Sequence, residues 1–219
     1  LPLDYAGPPG MEFQQLADLR LSLREILARE VASLETYYDE ATGGFYHRLD
    51  KPKPGHPSTS STATCVLALV ATRAWGKGRW KDDAKRLATH LLHTKWTSAE
   101  LKEDNVFTVA FILEAVTELC GIDPTIPKDS SNEAQIQKAE GILVDSLNDA
   151  EGAASILDYP PSAYVTQLVV RVLRKRGKEV DDRTRVWALG ETQHQLSLLI
   201  ANNKTADVFQ LAYAAVIVG

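Results

Sequence analysis

An all-α fold is expected, built as an α/α hairpin array with apolar helices inside and amphipathic helices outside. Three observations predict it. Apolar residues recur at three- and four-residue steps over most of the chain, which is helical spacing. Apolar and amphipathic runs alternate along the rows. Four apolar runs each open on a small polar or turn cluster: Ser60-Ser61, Asp104-Asn105, Pro161-Ser162 and Thr205-Ala206-Asp207. Aligning Thr64, Thr108, Val165 and Phe209 gives similar steps, and repetition on that scale points to stacked helical hairpins.

The elements follow in order. Residues 1–10 hold three prolines and two glycines and read as an extended lead-in. A long helix is expected over 11–38, carried by Phe13, Leu16, Leu19, Leu23, Ile26, Leu27, Leu34 and Tyr38. Gly43-Gly44 ends it, and Pro52, Pro54 and Pro57 keep the connection to residue 57 non-helical. A short extended piece is expected at 44–48. Helices then alternate: apolar at 58–74, amphipathic at 80–96, apolar at 106–120, amphipathic at 132–147, apolar at 161–174, amphipathic at 181–201 and apolar at 206–218. Domain organisation is thus the lead-in and one helical-repeat domain over 11–219. Leu1 in place of Met, and an apolar run that stops at Gly219, predict that the chain is part of a longer one.

The chain has 219 residues, 44% of them hydrophobic, which is enough to bury a core. A net charge of −5 argues against a general nucleic-acid footprint. No apolar run approaches the roughly 18 residues that span a bilayer. The expectation is a cytoplasmic protein with no nucleic-acid or membrane partner. Cys65 and Cys120 lie in apolar helical runs, where a free cysteine behaves as a small hydrophobe.

Asp39-Glu40-Ala41-Thr42-Gly43-Gly44-Phe45 resembles the D-x-x-x-G-G-F turns that join helices in α/α-toroid folds. Pro57-Ser58-Thr59-Ser60-Ser61-Thr62-Ala63-Thr64 resembles the start of an inner helix in the same folds. These include terpenoid cyclases, protein prenyltransferase β subunits and (α/α)6 sugar-processing enzymes. The resemblance implies a toroid-like arc and an isoprenoid or sugar substrate at an inner rim. The chain departs from those enzymes in chemistry. Neither Cys65 nor Cys120 has His or Asp at zinc-ligand spacing. No D-x-D-D run occurs, and 7% aromatic residues is low for a cavity that stabilises carbocations. No metal and no cofactor is expected.

Candidate site residues come from the repeated clusters and the long loop. Parallel inner helices would bring their N-termini to one rim, where the helix dipole and free N–H donors favour an anionic or polar ligand. That rim would carry Asp104, Asn105, Ser162, Tyr164 and Asp207. Capping explains the same residues, since Ser, Asp, Asn and Thr accept bonds from free backbone N–H groups. Tyr46 and His47 lie in the long loop, and a cavity lined by Tyr46, Tyr159, Tyr164 and Asp104 would signal ligand binding. His90 and His93 read as solvated outer-helix residues. The basic run Arg171 to Lys178 reads as complementing a helix C-terminus.

Three functions remain open on this evidence. The first is a helical-repeat domain that binds a partner protein, or another domain of its parent chain, through its inner rim or its apolar last helix. The second is an α/α-toroid enzyme or a fragment of one. The third is a small-molecule sensor using the inner-helix N-termini.

Overall fold

A computed structural model describes residues 13–46, 57–72, 80–93, 105–149, 152–154, 160–201 and 205–219. The lead-in at 1–10 lies outside them. Among the described residues the chain is almost all helix: α1 (Phe13–Ser33), α2 (Thr59–Ala71), α3 (Trp80–His93), α4 (Val106–Ile122), α5 (Ser130–Asp149), α6 (Ala163–Lys175), α7 (Asp182–Ile200) and α8 (Val208–Val218). A two-residue hairpin pairs β1 (Tyr38–Asp39) with β2 (Gly44–Phe45), Tyr38 opposite Phe45.

The expected helix at 11–38 ends earlier. Ser33 donates its hydroxyl to the Glu30 carbonyl and Thr36 donates to Ser33. Such local bonds compete with the helix ladder, and a 3-10 turn at Leu34–Tyr37 carries the chain into β1. Tyr38 is a strand residue packed on the Phe45 ring, 5.2 Å between centroids. Gly43 takes φ +73 in the turn between the strands, a conformation that favours glycine. At Gly44 a Cβ would stand 2.5 Å from the His90 ring, so the hairpin seats on α3 only through glycine.

The core centres on α4. Its run Val106-Phe107-Thr108-Val109-Ala110-Phe111-Ile112-Leu113 is apolar on nearly every face, so it is stable only when surrounded. α2, α3, α5 and α6 all pack on it. α2 meets α4, α4 meets α6, and α6 meets α8, while α3 and α5 touch each other behind α4. Cross-helix bonds fix the direction of this row. Ala163 at the start of α6 donates its N–H to Gln210 at the start of α8. Arg171 and Lys175 near the end of α6 reach Glu114 and Glu118 on the second half of α4. α4, α6 and α8 therefore run parallel.

One fastening device occurs twice. The Ser58 N–H donates to the Phe45 carbonyl, and the Phe45 N–H donates to Thr62 Oγ1 at 2.8 Å. Likewise, the Ser162 N–H donates to the Ala154 carbonyl, and the Ala154 N–H donates to Thr166 Oγ1 at 2.9 Å. Both threonines are fully buried. Each lies four residues after its helix N-cap, at Ser58 and Ser162.

The expected burial of α8 holds on one side only. Ala214 and Ile217 are buried, whereas Val208, Phe209 and Val216 are exposed. α1 is exposed at nearly every described side chain, including Leu19, Leu23 and Ile26.

Candidate functional site

The cap of α2 is Ser58, whose side chain accepts from the Ser61 N–H; Ser60 and Ser61 fall inside the first turn. Asn105 caps α4 by accepting from Thr108, and Asp207 caps α8 by accepting from Phe209 and Gln210. Ser162 holds the cap position of α6 without a side-chain cap bond. Gln210 Oε1 takes the first N–H of that helix instead, at 2.7 Å. At each of these three starts some of the free N–H donors are thus engaged inside the protein: Thr108 by Asn105, Ala163 by Gln210, and Phe209 and Gln210 by the Asp207 carboxylate.

The structure brings Asn105, Ser162, Tyr164 and Asp207 to one end of the α4, α6, α8 row, where Tyr164 joins a ladder of rings, Phe107, Phe111 and Tyr213, that the sequence does not single out. Phe111 packs on Phe107 at 5.0 Å, Phe107 on Tyr164 at 5.7 Å, and Tyr164 on Tyr213 at 5.0 Å. Tilted rings at these distances attract through their quadrupoles. Tyr164 is 37% exposed, so the ladder shows a face to solvent. Its only sequence signal is the Phe107/Phe111 spacing of four residues, which puts both rings on one helix face. His47, Asp104 and Tyr159 lie outside the described residues.

Tyr46 is not part of that ladder. It lines a pocket of about 360 Å³ with Leu34, Tyr37, Ser60, Ser61, Thr64 and Cys65. Two phenol rings face three hydroxyls from the first turns of α2. Burial pushes the Cys65 thiol up to about 11, so it stays protonated at neutral pH and is a poor nucleophile. Cys120 is also free, and burial raises its thiol as well, against the opposing charge of Arg176.

His90 is buried, contrary to the solvated reading, because β2 closes over it. Burial lowers its pKa, against a bond to the Thr42 backbone and the charge of Asp39. His93 Nε2 lies 2.9 Å from Asn132 Oδ1 and ties α3 to α5. Among the described residues no three His, Cys, Asp or Glu side chains gather as a metal site. No helix is long and apolar enough to cross a membrane, among the described residues.

The basic run at the end of α6 does more than meet a helix dipole. Glu114, 5% exposed, accepts from Arg171 at 2.8 Å and from Lys175 at 3.2 Å. Lys175 also reaches Glu118, and Arg176 and Lys178 share Glu140. These pairs clamp α6 to α4 and α5.

Comparison with protein-family models, with curated proteins and with solved structures finds no match for this chain.

Proposed function

We propose that the chain is an interaction domain: an α/α hairpin array, arranged as an open toroid-like arc, that docks a partner protein or a further domain of its parent chain on the exposed side of α8. The observation that carries this reading is the side of α8 made by Val208, Phe209, Ala212 and Val216. Phe209 is 76% exposed and Val216 59%. α4 has a neighbour in the row on each side, and so has α6, whereas α8 ends the row, packed on α6 and on α7. Another apolar helix is the occupant that continues this packing. Burying each large side chain of such a face is worth about 1.5–3 kcal/mol. Val186, Leu189, Leu196 and Ile200 of α7 are exposed at three-, seven- and four-residue steps, an apolar stripe on the helix that packs against α8. Surfaces of this kind mark protein–protein contact. Net charge −5 favours a protein over a nucleic-acid partner. The two free thiols fit a cytoplasmic setting.

A second reading, a small-molecule sensor or an α/α-toroid enzyme acting on an isoprenoid or sugar, is favoured by the pocket at Tyr37 and Tyr46. Its volume suits a small ligand. Its described lining offers hydroxyls and a protonated thiol but no imidazole or carboxylate to act as a base. That supports binding over catalysis.

Native mass spectrometry beside size exclusion separates the two. A homo- or hetero-complex without a small adduct, reduced to monomer by Phe209→Asp, supports the interaction domain. A monomer carrying a small added mass supports the sensor and contradicts the first reading.

A further inference from the structure

A second cavity, of about 430 Å³, opens between α6 and α8 at the end of the row remote from the aromatic ladder. Its walls are of two kinds. Val170, Val216 and Ile217 supply apolar surface, with Val170 and Ile217 buried. Gln167, Arg171, Arg174 and Lys175 supply an amide and three cations.

The charges do not balance within the cavity wall. Arg171 is matched by Glu114, and Lys175 by Glu114 and Glu118. Two carboxylates therefore serve two of the three cations. Arg174 donates to the backbone carbonyl of Ile217 at 3.5 Å, a long bond to a neutral group. Among the described residues no carboxylate pairs with it. One positive charge is left facing an apolar cleft, in a chain whose net charge is −5. A guanidinium in that position selects a planar anion, because its paired N–H groups match the two oxygens of a carboxylate.

We propose that this cleft binds an aliphatic carboxylate, a single negative charge carried on an apolar chain. The head pairs with Arg174 within reach of the Gln167 amide. The chain lies along the exposed Val216 side chain, over a floor made by the buried Val170 and Ile217, and removes the Val216 surface from water. This goes beyond the docking role of α8 and does not depend on it, although the cleft shares Val216 with the docking side. The ligand chemistry has two sources, a free fatty acid or the C-terminal carboxylate of an apolar polypeptide end.

The test is calorimetric titration of the full chain with decanoate, with decanol, and with an acetylated Ala-Val-Leu peptide as free acid and as amide. Saturable one-to-one binding of decanoate, weakened about tenfold or more in decanol, assigns the site to the free acid. The same preference for peptide acid over peptide amide, without decanoate binding, assigns it to a polypeptide end. Arg174→Gln is expected to remove the preference in either case with little change in thermal unfolding, since among the described residues Arg174 makes no ion pair and only one long bond, to the Ile217 carbonyl. If acid and neutral ligand bind alike, if Arg174→Gln binds as well as wild type, or if nothing saturates at millimolar concentration, the proposal is wrong.

Discussion

Thr62 and Thr166 perform the same task at the starts of α2 and α6. Each buried hydroxyl accepts the N–H of a residue upstream of its helix, Phe45 of β2 or Ala154. Phe45 and Ala154 are themselves fully buried, so neither N–H has water as an alternative. The same hydrogen-bond circuit thus occurs twice in the chain.

Replacing either threonine by the isosteric valine keeps the volume and removes the acceptor. An orphaned buried N–H costs about 1–3 kcal/mol. Thr62→Val and Thr166→Val are each expected to lose that much in urea unfolding, by similar amounts. A loss confined to one of them would show that the two circuits are not equivalent.

The Glu114 carboxylate is the inner member of the clamp between α4 and α6. Its partners Arg171 and Lys175 are partly exposed and can recover hydration when it is removed. Glu114→Gln is therefore expected to cost about 1–3 kcal/mol, below the 3–5 kcal/mol typical when a fully buried charge is left alone. Denaturant melts of Glu114→Gln and Arg171→Gln decide it, with Arg171→Gln expected to be milder because Lys175 still serves the carboxylate.

Helix positions, the N-caps at Asn105 and Asp207 and the turn at Gly43-Gly44 were legible because each follows from local chemistry: period, capping residues and φ > 0. The shared circuit of Thr62 and Thr166 was not: aligning Thr64 with Val165 does not pair the two threonines, because each bonds to a residue well before its helix, Phe45 or Ala154. His90 looked solvated because its helix is amphipathic, and only the return of Gly44 over α3 buries it. Tyr46 and Tyr164 were both singled out, but the sequence could not show that one belongs to the α2 pocket and the other to the α4–α6–α8 end. The cleft residue Arg174 was absorbed into a generic basic helix end, because its unmatched charge appears only once Arg171 and Lys175 find Glu114 and Glu118.

Burial lowers the pKa of His90 below its ordinary 6.5. The unfolded chain then binds the proton more readily than the folded one, so protonation favours unfolding. Stability is expected to be flat above pH 6.5, to fall as pH drops through it, and to level off below the folded value. Urea midpoints between pH 8 and pH 5 measure this, and His90→Gln is expected to flatten that part of the profile. An unchanged slope in the variant would place the effect elsewhere.

A thiol raised from 9.0 to about 11 holds about one hundredth of the ordinary thiolate fraction at neutral pH. Iodoacetamide is therefore expected to label Cys65 about a hundredfold more slowly than a free cysteine peptide, as read by peptide mass mapping. Rapid labelling in the folded chain would reopen Cys65 as a nucleophile in the Tyr37/Tyr46 pocket.

The central claim is that the outer side of α8 is an interface, and site-specific photo-crosslinking tests it most directly. A benzophenone side chain in place of Phe209 is compared with one in place of Ala134, which is exposed on α5. One discrete polypeptide adduct is expected from position 209, lost when Val216→Asp is added, and none from position 134. No adduct at 209, or equal adducts at both positions, would contradict it.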